Sequence, residues 1–202
     1  ETIDPAIPTG QVEARVILLL FEGLTAYDPQ TLAPIPGLAS RWETSSDGRI
    51  YTFHLRPGLV WSDGTALRAA EFAYAWRRAL APATGSRSAA LLYAIHGAEA
   101  YNRGESGDPS RVGIVAPDDS TLVVGLREPT PYFTYLTSSP AFAPVPRHAI
   151  ERWGRAWTSQ EHLVSNGPFR LVSERHNERM VFARNPRYWD AAHVRLDGVV
   201  AY

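Results

Sequence analysis

The histidines that stand near carboxylates in the sequence are the residues whose types and spacing are most typical of metal ligands. The sequence holds six histidines and no cysteine. Three clusters have suitable spacing: His148 with Glu151, His96 with Glu99, and His193 with Asp190 and Asp197. A structural metal site needs about four ligands, and no neighbours in the sequence complete any of these sets. We interpret the clusters as solvated surfaces, so that neither a metal nor a cofactor is predicted.

Nucleophilic catalysis has one set of residues to draw on, Ser62 and Asp63 with His54 as the base. Asp63 is followed by Gly64, a pair typical of a tight turn, which favours a structural role. The sequence contains no Gly-x-Ser-x-Gly elbow, no cysteine nucleophile and no glycine-rich loop that cradles phosphate. The protein is therefore not expected to be an enzyme, and a hydrolase is kept only as an alternative.

The elements that position these residues are clearest in the tract 51–76. Tyr51, Phe53 and Leu55 alternate with polar residues, the period of a half-buried strand. Two turn pairs follow, Pro57-Gly58 and Asp63-Gly64. The apolar residues then recur at helical spacing: Ala69, Phe72, Ala73, Trp76 and Leu80. The tract therefore predicts a strand, a turn and a helix with one apolar face.

The remaining sequence predicts a mixed α and β chain. Helices are predicted over residues 13–21, 69–80, 89–102, 131–137 and 147–153. Hairpins are predicted to join 41–44 to 50–55, 112–117 to 121–126, and 169–174 to 179–184, with short strands at 24–27 and 199–202. Gly23, Pro82 and Gly154 are expected to end helices, since glycine and proline do not continue them well.

Composition narrows the functional classes. The 202 residues suffice for one or two domains, and the net charge of −1 gives no basic surface for nucleic acid. Without cysteine there is no disulfide framework. No apolar run approaches the roughly 18 residues of a membrane span, and no signal peptide is visible.

The tract 51–76 resembles the family 5 extracellular solute-binding proteins, the peptide receptors of ABC importers. The resemblance is carried by Phe53-His-Leu-Arg56, Trp61-Ser-Asp-Gly64 and Glu71-Phe-Ala-Tyr-Ala-Trp76. Further matches stand in the family's order: Ile3-Asp-Pro5, Leu20-Phe-Glu-Gly-Leu24, Glu128-Pro-Thr-Pro-Tyr-Phe133, Pro144-Val-Pro146, Ser165-Asn-Gly-Pro-Phe169 and Arg184-Asn-Pro-Arg-Tyr-Trp-Asp190. The Pro-Tyr-Phe and Pro-Val-Pro pieces favour the oligopeptide-binding branch over the dipeptide and nickel branches.

This resemblance implies an α/β (mixed α+β) fold, a partial lobe of the periplasmic-binding-protein-like II type with the extra α+β domain of the peptide-binding class. Residues 1–22 and 147–202 are expected to form the main lobe, and residues 23–146 the inserted extra domain. Family members are more than twice as long and have two lobes, so we interpret the chain as the N-terminal portion of a receptor. The expected location is periplasmic or extracellular, with a lipid anchor as an option and an export signal upstream.

The same resemblance implies a binding function. The expected partners are a peptide or other small solute and the ABC importer membrane subunits, with no nucleic acid. Thr9, Gly10, Gln11 and Val12 stand where the family's first-lobe peptide-contacting segment lies, and Thr9 replaces its usual acid. A second contact is expected in Ser86-Arg-Ser-Ala89.

Two departures from the family pattern have physical consequences. Ser88 stands where the family has a tyrosine, which removes a large amphipathic contact surface and leaves the ligand class open. Arg68 replaces the usual Thr or Ser cap three residues before Glu71, so the helix is expected to lack its capping box. A sensing or interaction domain on the same scaffold, without transport, is the alternative from another class.

Overall fold

The computed structural model describes residues 2–7, 10–175 and 178–202. Its α-helices are α1 (Gln11–Leu20), α2 (Ala69–Leu80), α3 (Ala98–Asn102), α4 (Phe133–Leu136) and α5 (Arg147–Trp153). Its strands are β1 (Thr25–Tyr27), β2 (Pro34–Pro36), β3 (Ala39–Thr44), β4 (Ile50–Leu55), β5 (Ile114–Val115), β6 (Thr121–Gly125), β7 (Phe169–Arg175), β8 (Arg179–Arg184) and β9 (Gly198–Ala201). Short 3₁₀ helices link them at Pro82–Thr84, Ala89–Leu92, Pro109–Arg111, Pro140–Phe142, Gly154–Thr158 and Ala191–His193.

The strands of the described chain form three antiparallel sheets. β1 and β2 form a two-stranded ribbon, and β3, β4, β6 and β5 form a four-stranded sheet in that order. The third sheet has the order β7-β8-β9. In most of the strand pairs, the two partners are consecutive in the chain, which is the arrangement of the predicted hairpins. Within the described residues, no helix is both long and apolar enough to cross a membrane.

The predicted strand, turn and helix over 51–76 are confirmed as β4 and α2. Tyr51, Phe53 and Leu55 are buried on one face of β4, while their neighbours are partly exposed. Trp61 and Trp76 are completely enclosed, and the Trp76 indole Nε1 donates to the Phe142 carbonyl at 2.8 Å. Burying aromatic side chains of this size contributes about 2–3 kcal/mol each, so the tract is a packing centre.

The predicted helix over 89–102 is wrong, because the chain breaks it into the 3₁₀ helix Ala89–Leu92 and the short α3. Between them the backbone pairs with the four-stranded sheet: the His96 amide donates to Gly125 and its carbonyl accepts from Gly113, both at 2.9 Å. Gly97 then takes φ +72°, a left-handed conformation that ends any continuous helix. The apolar spacing suits a helix, but these long-range hydrogen bonds override it.

The missing cap at Arg68 is confirmed, and Glu71 has a role that the sequence did not indicate. Arg68 makes no side-chain cap; its Nε lies 3.3 Å from Asp119 Oδ2, while the Ala69 amide donates to the Asp119 carbonyl. Glu71 Oε2 instead accepts from the backbone amide of Arg147 at 3.2 Å, at the start of α5. The carboxylate of one helix thus satisfies an unpaired donor of another.

The predicted division into 1–22 with 147–202 and an inserted 23–146 stays a prediction. The third sheet lies wholly within 147–202, and the other two lie within 23–146. The core, however, is continuous: Leu20 and Phe169 belong to the same hydrophobic cluster as Leu24 and Phe53. If the division is right, the two units share one packed interior.

Candidate ligand-contact site

The N-terminus of α1 presents three of the predicted contact residues to solvent. Gly10, Gln11 and Val12 are exposed, and Val12 retains 69% of its accessible surface. Gly10 caps the helix with an extended backbone (φ −145°, ψ 173°) and no side chain. Thr9, the fourth predicted residue of this segment, lies outside the described residues.

Gly10 lies directly beside the Glu13 side chain. A Cβ atom at position 10 would lie 2.5 Å from the Glu13 carboxylate oxygen Oε2, so a side chain there would displace the flexible end of Glu13. Glu13 sits in the first turn of α1, where the helix dipole favours a negative charge. The glycine therefore leaves the backbone of the helix end open and lets the Glu13 carboxylate lie beside it.

Val12 also lines a groove of about 440 Å³ that runs between α1 and the third sheet. Its floor is apolar, with Val16 and Met180, and its rim carries arginines and glutamates in equal number. The rim residues are Glu13, Glu174, Glu178, Arg155, Arg175 and Arg179. Mixed charge of this kind selects no single sign of ligand, so the groove by itself does not identify a solute.

The second predicted segment, Ser86 to Ser88, forms the approach to the 3₁₀ helix Ala89–Leu92. Both serines are half-buried, and the Ser88 amide donates to Ser86 Oγ at 3.3 Å. Ser88 occupies the N-cap position without capping through its hydroxyl. Its side chain is therefore not used by the helix that follows.

The described parts of the two predicted segments are connected through one element. α1 and the 3₁₀ helix Ala89–Leu92 both pack against the 3₁₀ helix Pro140–Phe142. Phe142 is completely buried and makes an edge-to-face contact with Trp76, with ring centroids 5.0 Å apart. A buried aromatic element thus packs against both α1 and the 3₁₀ helix that follows Ser88.

Two of the three histidine clusters are used as ion pairs and hydrogen bonds. His148 Nε2 lies 2.8 Å from Asp63 Oδ2 rather than near Glu151, which pairs with Arg147. His193 Nδ1 lies 2.5 Å from Asp190 Oδ1. Across residues 2–7, 10–175 and 178–202, no group of three or more histidine, aspartate or glutamate side chains is arranged to hold a metal ion.

The serine, aspartate and histidine of the possible triad do not assemble. Asp63 Oδ1 accepts from the Thr65 amide and hydroxyl at 2.9 and 2.7 Å, which closes the turn. The Ser62 hydroxyl accepts from the Ser165 amide at 3.0 Å. His54 Nε2 lies 3.3 Å from Glu43, on the four-stranded sheet. The three groups have separate structural partners, so the geometry offers no activated serine.

Glu22 is a largely buried carboxylate whose role the sequence did not indicate. Its Oε1 accepts from the Tyr188 hydroxyl at 2.9 Å, and Oε2 accepts from the Trp189 indole at 2.5 Å. The Arg56 guanidinium lies over the Trp189 ring, 3.6 Å from its centroid. The family-like segments 20–24 and 184–190, which are far apart in sequence, are thereby joined through one acid.

Burial raises the pKa of Glu22 above its ordinary value, although the hydrogen bonds from Trp189 and Tyr188 and the charge of Arg56 lower it. The same burial raises the pKa of the Tyr188 phenol. Glu22 also lines a cavity of about 150 Å³ with Thr25 and Ser138. Sequence reasoning had one signal for this arrangement, a carboxylate inside an apolar motif, but no means of finding its partners.

Comparison with known proteins agrees with these motifs. The family described as bacterial extracellular solute-binding proteins, family 5 Middle, matches residues 33–202. The periplasmic oligopeptide-binding protein OppA of Salmonella typhimurium is 40% identical over 200 residues, which is 98% of this chain. The probable deoxycholate-binding periplasmic protein YgiS of Escherichia coli is also 40% identical over 200 residues, again 98% of the chain.

The fold agrees with a solved structure as well. The crystal structure of a periplasmic oligopeptide-binding protein from Borrelia burgdorferi superposes with a TM-score of 0.95 at 37% identity, covering 100% of this chain and 40% of that one. The predicted partial lobe of the periplasmic-binding-protein type is therefore confirmed. The chain spans 36% and 37% of the length of the two curated relatives named above.

Proposed function

Because the chain belongs to the bacterial extracellular solute-binding proteins of family 5, we propose that it is the first-lobe portion of a receptor that binds an oligopeptide for uptake by an ABC importer. The observation that carries this proposal is the agreement of the whole chain, in fold and in sequence, with oligopeptide-binding proteins. The relatives are named as binding proteins, which supports a binding rather than a catalytic role. The alternative of a sensing domain without transport has no support among them.

The proposed contacts are the exposed N-terminus of α1 and the segment before Ala89. Gly10, Gln11 and Val12 offer open backbone and one apolar side chain, and Thr9 belongs to the same proposed segment. Ser86 and Ser88 offer hydroxyls. Backbone groups recognise an extended peptide without reading its sequence, so these contacts suit a receptor of broad specificity.

Binding by this chain alone is expected to be weak. A solute held between two lobes gains most of its affinity from closure, which needs the second lobe and a hinge. Asp4, a buried carboxylate a few residues before α1, is already paired with Arg78 and is not available for a peptide amino terminus. The chain is therefore expected to position the solute in the site and to contribute little of its binding free energy.

The proposed partners and location follow from the same family. The membrane subunits of an ABC importer are the proposed receivers of the solute, no nucleic acid is involved, and the protein acts in the periplasm or outside the cell. The names of the relatives support the periplasmic location. A lipid anchor stays part of the proposal.

Calorimetry with peptides of about three to five residues tests the proposal. The full-length product of the reading frame should bind such peptides with micromolar or tighter Kd, and the chain 1–202 should bind them at least about 100-fold more weakly, which equals about 2.7 kcal/mol. Failure of the full-length protein to bind any peptide of a mixed library would overturn the oligopeptide assignment.

Because Ser88 replaces the family's tyrosine, a second class of solute should be tested in parallel. A tyrosine side chain offers apolar area and a hydroxyl that serine cannot supply. Because one relative of equal similarity is named for deoxycholate, the same calorimetry should include deoxycholate. Tight binding of deoxycholate with no binding of peptides would replace the peptide assignment with that of another small solute.

A further inference from the structure

A second groove lies beside α2 and has the chemistry of an anion site. It has a volume of about 600 Å³ and runs between α2, α3, β5 and the start of α5. Its floor is made by small residues of α2, Ala70 and Ala73, and its walls by Tyr74, Tyr101 and Val115. Among the residues that the structure describes, three arginines line it and no aspartate or glutamate does.

Two of the three arginines are neutralised by carboxylates from outside the groove. Arg78 donates through both terminal nitrogens to Asp4, at 3.0 and 2.5 Å. Arg147 pairs with Glu151 at 2.6 Å. Neither guanidinium therefore brings a full uncompensated charge to a ligand.

Arg77 differs because its two partners are neutral. Its Nε donates to the Pro109 carbonyl at 3.1 Å, and Nη2 donates to the Ile114 carbonyl at 2.5 Å. Nη1 has no hydrogen-bond partner in the described part of the chain. The two carbonyls hold the guanidinium in place without neutralising it. The exposed Asp108 interacts with Arg77 by charge, but no described carboxylate forms an ion pair with it, so Arg77 is the arginine of this groove with no direct carboxylate partner.

Two phenols complete the polar side of the groove. Neither the Tyr74 nor the Tyr101 hydroxyl makes a hydrogen bond to the residues that the structure describes. Burial raises the pKa of Tyr74, so its hydroxyl stays protonated at neutral pH and is a donor. One fixed cation, two hydroxyls and apolar walls match a ligand with a single carboxylate and an apolar body.

We infer that the groove between α2 and β5 binds a small organic carboxylate, with Arg77 as the cation that meets its charge. A phosphate group fits less well, because a doubly charged anion needs more than one uncompensated cation to offset its desolvation. The site is distinct from the exposed end of α1 and does not depend on a second lobe.

Naphthoate is a suitable probe, and naphthalenemethanol, which has the same ring system but no charge, is its control compound. In low salt the full-length protein should bind naphthoate at least about tenfold more tightly than the alcohol, which corresponds to about 1.4 kcal/mol. Added salt should reduce this preference, since it screens the charge of Arg77. Equal binding of the two compounds would overturn the inference.

Variants at Val115 test the position of the site without removing a native hydrogen bond. Val115 is 57% exposed on the edge strand β5 and lines the groove, so lysine and glutamate are equally soluble replacements. Val115→Glu should weaken naphthoate binding about fivefold or more, and Val115→Lys should preserve or strengthen it. Indistinguishable binding by these two variants would contradict the assignment.

Arg77→Gln should abolish the preference for naphthoate over the alcohol. The matched control is Arg187→Gln, since Arg187 also donates to a backbone carbonyl, that of Ser62 at 2.7 Å, but lies away from the groove. An equal loss in both variants would count against a specific role for Arg77. Displacement of naphthoate by equimolar inorganic phosphate would assign a phosphate site instead and overturn the carboxylate class.

Discussion

Asp4 and Arg78 form a buried bidentate ion pair that ties the first residues of the described chain to helix α2. The two terminal nitrogens of Arg78 donate to the two carboxylate oxygens of Asp4 at 3.0 and 2.5 Å. The Asp4 carboxylate also accepts from the Ala6 amide at 3.0 Å and from the Trp157 indole at 3.3 Å. Only 5% of the Asp4 side chain is exposed, so water cannot replace these donors.

Asp4→Asn should lower the free energy of unfolding by about 3 kcal/mol, because it leaves the Arg78 charge buried without its partner. Urea denaturation monitored by tryptophan fluorescence measures the loss. Glu151→Gln is the control, since its exposed pair with Arg147 one helical turn away should change stability by less than about 0.5 kcal/mol. Equal effects of the two variants would show that burial does not strengthen the Asp4 pair.

Arg68→Thr should stabilise the protein by about 1 kcal/mol, because threonine supplies the cap that α2 lacks. Arg68→Ala is the matched variant: it also removes the exposed pair with Asp119 but adds no hydroxyl. The melting temperature should rise for threonine and stay level or fall for alanine. A threonine variant no more stable than the alanine variant would argue against the cap.

Gly97→Ala should lower the free energy of unfolding by at least about 2 kcal/mol. Backbone strain at a positive φ and a steric clash of the new Cβ atom both contribute to this loss. Gly97 has φ +72°, and a Cβ atom there would lie 2.6 Å from the Arg111 carbonyl oxygen. Gly104 has φ +75° but nothing within 4 Å, so Gly104→Ala isolates the strain at about 1 kcal/mol. Urea denaturation of both variants compares the costs, and equal values would mean that the neighbouring backbone yields freely.

The titration of Glu22 should make the stability of the protein depend on pH. Since burial raises its pKa in the folded state above the unfolded value, Glu22 favours folding most when both states are protonated. That contribution is lost as the pH rises through the folded pKa. The difference in unfolding free energy between wild type and Glu22→Gln should therefore fall as the pH rises from about 4 to about 7.

Tyr188→Phe sharpens this test, because it removes a hydrogen bond that lowers the pKa of Glu22. Its unfolding free energy should fall more steeply with pH than that of the wild type over the same range. A difference between wild type and Glu22→Gln that grows with pH would mean that the hydrogen bonds outweigh burial.

The sequence predicts elements well where local signals and tertiary packing agree. The apolar spacing of 69–80 and the glycine at 154 correctly predict α2 and α5, with the bounds that the structure gives. The helix predicted over 89–102 fails because its middle pairs with the sheet, and no local pattern reports a hydrogen bond to Gly125. A periodic pattern of apolar residues carries no information about such long-range pairing.

The binding site is less predictable than the fold. Resemblance to the family indicates the mixed α and β lobe, which the solved relative confirms, and it indicates the positions Gly10, Val12 and Ser88. Those positions stay predictions, because exposure and open backbone do not identify a ligand. The position of Arg77 in the groove follows only from its carbonyl partners, which come from segments more than 30 residues away in the chain.

The hydrogen bond from the Arg147 amide to Glu71 has a consequence for how the protein opens. Its partners are 76 residues apart in sequence, so the first amide of α5 is protected only while α2 is docked against it. Deuterium uptake at Arg147 therefore reports separation of the two helices rather than fraying of α5. An amide that exchanges no faster than those in the middle of α2 would place both helices in one cooperative unit, spanning the predicted boundary at residue 147.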